Sequence, residues 1–238
     1  MGFLEFLRTY NLILILAVAT LVCFFWLTFF KKDLRITWYT ALILAVIHTV
    51  VGVVCVKAFA AFEGVIGPGE AGNLSLYGGV FFMPVFYYAG AKLFRRDVKT
   101  VFDIFSMPLI FTLFCSRFNC LVNGCCRGVV IPGTGMRYPT REAEIVFYLI
   151  LLHILGTKVF KRRFDGRVYP IYMLSYGIFR FIVEWFRESE HIFGIVHISH
   201  IWSLLAAIIG AVFCFILADR QKKKSKGKKG NNKGKNRA

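Results

Sequence analysis

Residues 116–126 read SRFNCLVNGCC, with one arginine, two asparagine amides and three cysteines directly after the apolar run MPLIFTLFC. An arginine at the end of an apolar stretch is costly unless it is paired, snorkels to an interface or has a function. Its planar fork of donors is well matched to a phosphate. Arg117, Cys120 and Gly124 fall at i, i+3 and i+7, one face of a helix that Gly124 and Gly128 are expected to break. A broken helix end inside a bilayer is tolerated where it lines a cavity or is buried in protein. Backbone amides freed there, with the Asn123 amide, suit phosphate or ester oxygens, although a purely structural helix end remains open. A second stretch, YMLSYGIFRFIVEWFRESE, sets Tyr176, Arg180 and Glu184 at i, i+4 and i+8 on one stripe of an apolar helix. Arg180 reads as a substrate-binding arginine steadied by its neighbours, or as half of an ion pair that fixes helix packing.

Cys120, Cys125 and Cys126 form a C-x4-C-C cluster. Zinc sites favour paired C-x2-4-C spacing with further Cys or His nearby, so the cluster reads first as small buried residues lining a pocket, then as a disulfide, and least as a metal site. Cys23, Cys55, Cys115 and Cys214 read as apolar filler. In NLSLYGGVFF, Gly78 and Gly79 permit the close approach of a helix or a lipid chain, and Tyr77 is either an interfacial tyrosine or a polar site residue. RYPTREAE reads as a turn and a helix start, with Thr140 as cap and Glu142 and Glu144 as first-turn acids. His197 and His200 precede the last apolar run and titrate in a useful range, though interfacial residues at a helix start are the plainer account.

These residues need a membrane scaffold. The chain has 238 residues, 57% hydrophobic with 26 Phe, and a mean hydropathy of +0.62, beyond the range of soluble domains. At about 20 apolar residues per crossing, seven spans emerge, near 10–30, 38–62, 74–94, 102–122, 143–160, 169–186 and 198–218. The first apolar run is too long for a cleaved signal and reads as retained. Lys and Arg follow spans 1, 3, 5 and 7, whereas EGVIGPGEAGN after span 2 carries acids only. The expectation is an all-α membrane protein with seven transmembrane helices, N-terminus outside and C-terminus cytoplasmic. Residues 1–218 form the transmembrane domain. Residues 219–238 hold +9 of the +17 net charge and read as a disordered basic cytoplasmic tail drawn to anionic lipid rather than to nucleic acid. Arg117, Arg127, Arg137, Arg141, Arg180 and Arg187 run against this bias, because all fall near outer ends of spans. Such a cluster suits an anionic phospholipid headgroup.

Taken together, the motifs resemble the bacterial phosphatidylglycerol–prolipoprotein diacylglyceryl transferase family, in order over most of the chain. Tyr10-Asn11 resembles the family's Tyr-Gly, LYGG its His-Gly-Gly, and SRFNCLVNGCCRG its G-R-x-G-N-F-x-N-G-E-x-x-G signature. YPTREAE resembles H-P-S-Q-L-Y-E, YGIFRFIVEWFRE resembles Y-G-x-x-R-x-x-x-E-x-x-R-E, and HISHIWSLL resembles I-S-x-G-Q-I-L-S with Ser203 kept. The resemblance implies a multi-pass plasma-membrane (inner-membrane) enzyme. It would move a diacylglyceryl group from phosphatidylglycerol to the lipobox cysteine of a prolipoprotein signal peptide, releasing glycerol phosphate. No cofactor or metal is expected. Arg117 and Arg180 would stabilise the departing phosphate, with Tyr77 where the family has its proton-accepting histidine. Tyr10, Gly78, Gly79, Cys120, Asn123, Gly124, Gly128, Glu144, Tyr176, Glu184 and His200 would line the substrate site. The sequence departs from the pattern at Tyr77, at Cys120 for Asn, at Cys125 for Glu, at Arg141 for Gln and at His200 for Gln. The GCC form marks a divergent branch. Two alternatives stay open: lipid transfer to a different acceptor, and non-catalytic phospholipid binding.

Overall fold

A computed structural model describes residues 3–66, 75–188 and 197–235, and every named element among them is a helix. In chain order these are α1 (Phe3–Phe29), α2 (Lys31–Leu34), α3 (Trp38–Ile66), α4 (Tyr77–Phe81), α5 (Met83–Leu93), α6 (Val98–Asn123), α7 (Thr140–Phe160), α8 (Val168–Glu184) and α9 (Ile198–Lys235). Five of them, α1, α3, α6, α7 and α9, contain stretches long and apolar enough to cross a bilayer. The other two expected spans are shorter. The third is divided at Phe82 into α4 and α5, with Pro84 in the first turn of α5, where a missing N–H costs nothing. The sixth, α8, has 17 residues. The acidic loop expected after the second span lies mostly outside the described residues.

The packing is inverted relative to a soluble protein. Ile13, Phe25 and Phe215 are exposed, while Asp103, Arg117, Glu144, Arg180 and Glu184 are buried. Helix α6 is the centre: 61% of its span is buried, against 17% for α1 and α9. It starts at Asp97, whose carboxylate accepts from Thr100 N at 3.0 Å, an N-cap bond that meets one of the helix's orphan donors. Pro108 inside α6 has no N–H to give the Ile104 carbonyl four residues back. The indole of Trp26 on α1 donates to that carbonyl at 2.9 Å, so the gap left by the proline binds one helix to another.

Helix α8 is held at both ends. Asp103 of α6, fully buried, accepts from Gly166 N at 2.8 Å and Val168 N at 2.9 Å. It thereby satisfies donors at the start of α8 and places negative charge against the positive end of its dipole. Along α8 and α9 the backbones touch: a Cβ on Gly177 would lie 2.5 Å from Ser203 O and Ala207 N. This is the small-residue contact that lets membrane helices pack without large side chains. Past the expected end at Ala218, α9 continues without a break to Lys235. Residues 219–235 of the tract expected to be disordered therefore extend the helix, since lysine is a good helix former and adding residues to an existing helix needs no new nucleus.

Candidate functional site

Arg117 lies two turns before the end of α6, Glu144 in the second turn of α7 and Arg180 one turn before the end of α8. All three are buried. Arg117 Nε stands 2.6 Å from Glu144 Oε2, and Arg180 Nη1 stands 2.7 Å from Glu144 Oε1. One carboxylate thus joins guanidiniums from two other helices. Arg180 Nη2 also meets Glu184 Oε2 at 2.9 Å, and Arg187 Nη1 reaches the same oxygen at 3.6 Å. Among the described residues, three guanidiniums and two carboxylates share these ion pairs, with the Cys126 sulfur on Arg187 and Glu63 within electrostatic reach of Arg180. Among the described residues, the Nε atoms of Arg180 and Arg187 and the hydroxyl of Tyr176 are buried without a hydrogen-bond partner, while the Tyr148 hydroxyl faces Arg117. Of the stripe Tyr176–Arg180–Glu184, then, only the arginine and the glutamate join directly, and the phenol stands by unbonded.

Tyr77 is buried at the start of α4. Its hydroxyl donates to Ser199 O at 2.9 Å and pairs with Ser203 Oγ at 2.7 Å, anchoring α4 to α9. Its ring meets that of Tyr176 edge-on at 5.9 Å. Gly78 packs on α3: a Cβ there would stand 2.1 Å from Cys55 O, whereas one on Gly79 would meet nothing closer than Leu109 Cδ1 at 3.4 Å. Close helix approach therefore needs Gly78 and not Gly79. His200 is buried between the rings of Phe181 and Trp185, and its Nδ1 accepts from His197 N at 3.2 Å. Tyr10 is exposed; the inward residue beside it is Asn11, whose amide donates to Asn123 Oδ1 at 3.1 Å.

The loop after α6 closes over this region. Gly124 ends the helix with φ +69, a left-handed conformation that suits glycine. Arg127 Nε turns back to Gly124 O at 2.8 Å. Val129 N donates to Phe186 O at 2.9 Å and Glu188 N to Arg127 O at 3.0 Å, tying the loop to the end of α8. Gly128 lies against the Tyr138 carbonyl, leaving no room for a side chain. Thr140 does not cap α7, contrary to expectation. It is the first helical residue, and its hydroxyl donates to Cys126 O at 3.2 Å, because the cysteine loop supplies a nearer acceptor than its own helix supplies donors. Nor is the cysteine cluster simply buried filler: Cys120 and Cys126 are half-buried, and Cys125 is exposed. Cys214 is likewise half-buried. Cys126 Sγ lies 3.7 Å from Cys120 Sγ and accepts from Arg187 Nη2 at 2.7 Å. The hydrogen bond with Cys120, reinforced by the charge of Arg187, draws the Cys126 thiol down to about 5 against the upward push of burial.

The motifs on which the resemblance rested are thus brought together: Arg117 and Gly124 of SRFNCLVNGCCRG, Glu144 of YPTREAE, Arg180 and Glu184 of YGIFRFIVEWFRE, with the Tyr-Gly-Gly element beside them. The sequence profile of prolipoprotein diacylglyceryl transferase matches residues 4–216. The chain belongs to the prolipoprotein diacylglyceryl transferase family. It is 33% identical to the phosphatidylglycerol–prolipoprotein diacylglyceryl transferase of Mannheimia succiniciproducens over 63% of this chain and 62% of that one. It is 33% identical to the Pasteurella multocida enzyme of the same name over 61% and 60%, and 24% identical to that of Dehalococcoides mccartyi over 88% and 89%. The chain thus spans about three fifths of the length of the first two of these relatives. Family membership and the apolar helices make it a multi-pass membrane protein.

Glu144, expected in the substrate site through the loop motif, is the pivot of the cluster. Three residues escaped the sequence reading. Tyr148, one turn further along α7, gave a signal in its i+4 spacing from Glu144. Asn11 was overshadowed by Tyr10. Ser199, which receives the Tyr77 hydroxyl through its carbonyl, offers no signal, because any residue has one.

Proposed function

We propose that this protein transfers a diacylglyceryl group from phosphatidylglycerol to the lipobox cysteine thiol of a prolipoprotein signal peptide, releasing glycerol phosphate. The observation that carries the reading is the meeting of Arg117 and Arg180, buried guanidiniums from two helices, on the single carboxylate of Glu144. Two guanidiniums held side by side would grip an anionic headgroup, and the relatives' names supply the substrates. In the reaction a thiolate attacks a glyceryl carbon, and the C–O bond to phosphate breaks with its electron pair passing to oxygen. Negative charge grows on the leaving group, so preorganised guanidiniums stabilise the transition state more than the ground state. In this reading Arg117 and Arg180 face the phosphate, Asn123 and Tyr176 orient the headgroup, and Glu144 and Glu184 hold the arginines in register. Gly124 and Gly128 shape the loop, with Tyr10, Gly78, Gly79, Cys120 and His200 around the substrates. Tyr77, engaged with Ser203 and Ser199, holds α4 to α9 rather than taking a proton.

The reading extends to topology. The protein crosses the plasma membrane seven times, with α4–α5 and α8 as the shorter crossings, the arginine cluster outward and residues 219–238 in the cytoplasm. The test is purified protein with phosphatidylglycerol and a lipobox peptide. Glycerol phosphate release with a matching mass gain on the peptide is expected. Arg117→Gln and Arg180→Gln should each lower turnover by about 10²–10³-fold. Release without peptide modification, or none with either substrate, overturns the reading.

A further inference from the structure

The family's histidine is absent, the Tyr77 hydroxyl is bonded to Ser199 and Ser203, and the proposed reaction still needs an acceptor in its thiolate form. The cysteine loop supplies a candidate device. We propose that Cys120, Cys125 and Cys126 form a three-thiolate site for a soft divalent cation, zinc foremost, whose open fourth position takes the acceptor thiol. This rests on the transferase reading for its purpose, and on the geometry of the loop for its existence.

The three sulfurs lie within 4.8 Å of one another. Zinc–sulfur bonds of about 2.3 Å make the edge of a tetrahedron about 3.8 Å, and the Cys120–Cys126 separation is 3.7 Å. The C-x4-C-C spacing had argued against zinc because it is not the paired motif. Folding removes the objection: Cys120 sits in the last turn of α6, Gly124 reverses the chain, and Cys126 takes a left-handed φ of +56 that returns its sulfur to Cys120. A non-glycine residue holds that conformation only where its surroundings enforce it. Three thiolates around one divalent ion carry a net negative charge. Arg187 offsets it through its contact with the Cys126 sulfur, and Arg141 Nη1 reaches Cys120 O at 3.5 Å. Outer donors of this kind orient and tune metal ligands. Structural zinc sites use four protein ligands, whereas reactive ones keep three and leave a position open. Among the described residues, Cys120, Cys125 and Cys126 are the group of sulfur, imidazole and carboxylate side chains close enough to share an ion.

The site lies one side chain from the arginines, since Arg187 touches both Cys126 and Glu184, and Glu184 holds Arg180. A free thiol is mostly protonated at neutral pH, whereas a metal-bound thiol is deprotonated outright. The step balances. The acceptor thiol binds the cation and gives its proton to water at the exposed edge beside Cys125. The bound sulfur forms a bond to the glyceryl carbon while the carbon–oxygen bond to phosphate breaks, and glycerol phosphate leaves with the electron pair. The product thioether is neutral, a poor ligand, and departs.

The test uses the full chain, reduced and metal-stripped in detergent, titrated with Zn2+ alone and then with Co2+ alone for its spectrum. One ion per chain and thiolate-to-cobalt charge-transfer absorption are expected. The Cys125→Ser variant and the Cys120→Ser/Cys126→Ser double variant should bind at least about 100-fold more weakly, while Cys214→Ser binds as before. Cobalt binding indifferent to the loop cysteines, or a Cys120–Cys126 disulfide without metal in protein thiol-trapped from cells, overturns the site. A lipobox peptide should then shift the cobalt spectrum, and its Cys→Ser version should not; identical spectra overturn the open position. These readouts need no turnover. A peptide-induced shift without phosphatidylglycerol cleavage therefore condemns the transferase reading alone, and cleavage that survives complete metal removal condemns the metal alone.

Discussion

Glu144 carries more of the site than its place in the sequence suggests. It neutralises Arg117 and Arg180 at 2.6 and 2.7 Å. Removing it would leave two buried guanidiniums to repel each other, with Glu184 the one carboxylate still in direct contact with Arg180 among the described residues. Removing one member of a buried ion pair is expected to cost about 3–5 kcal/mol. Glu144→Ala should therefore unfold at clearly lower temperature in detergent, and what remains folded should lose turnover through misplaced arginines. Glu144→Gln keeps the shape and one acceptor, so it should retain more stability than activity. Equal stability of Glu144→Ala and wild type would show that the cluster is not held from α7. The sequence revealed the arginines because a charge in an apolar run is conspicuous. It placed Glu144 in the site through the family motif but not at its pivot, because an acid in the first turns of a helix has an ordinary explanation in the helix dipole.

At the scale of elements, two helix contacts decide whether the site keeps its shape, and each makes a prediction. Trp26 on α1 supplies the donor that Pro108 cannot give to Ile104 O. Trp26→Phe would leave that carbonyl unsatisfied in an apolar setting, at about 1–3 kcal/mol, read as a lowered melting midpoint with little change in headgroup binding, since the bond lies far down α6 from Arg117. Gly177 is the second. A methyl there would need to push Ser203 O and Ala207 N back from 2.5 Å, and Ser203 is the partner of Tyr77. Gly177→Ala should therefore cost about 1–3 kcal/mol and lower turnover more than Trp26→Phe does, because it separates α8, with Arg180, from α9. The sequence legibly placed the long apolar helices, whose bounds differ from expectation by a few residues at most ends. It read less well where a tertiary partner decides the outcome: the break at Phe82, the loss of the Thr140 cap to the Cys126 carbonyl, and the return of three cysteines to one point through a left-handed turn.

At the scale of the whole molecule, the basic segments meet at one end and the arginine cluster lies at the other. Arg96 Nη2 donates to Arg35 O at 3.0 Å, linking the segments after α5 and α2. Arg162 meets Asp33 at 3.4 Å, and Arg167 donates to Gln221 on α9 at 2.6 Å. The four Lys- and Arg-rich segments assigned to one side by charge are thus joined by contacts. A cavity of about 1120 Å³ opens at this end, lined by apolar residues of α3 and α5 with Arg35, Lys92 and Arg96 at its edge. It is remote from the arginine cluster and takes no part in the proposed chemistry. The start of α1 is at the opposite end, where Asn11 bonds Asn123. With the start of α1 at one end and α9 leaving at the other, the number of crossings is odd, as the proposed seven with the basic end cytoplasmic require. A fluorescent-protein fusion after Ala218 is then expected to fluoresce, and alkaline phosphatase at the same point to be inactive. Phosphatase inserted at residues 132–135, between the cysteine loop and α7, should be active. The reverse pattern would put the arginines on the cytoplasmic face, where a prolipoprotein signal peptide emerging from the membrane could not present its thiol to them.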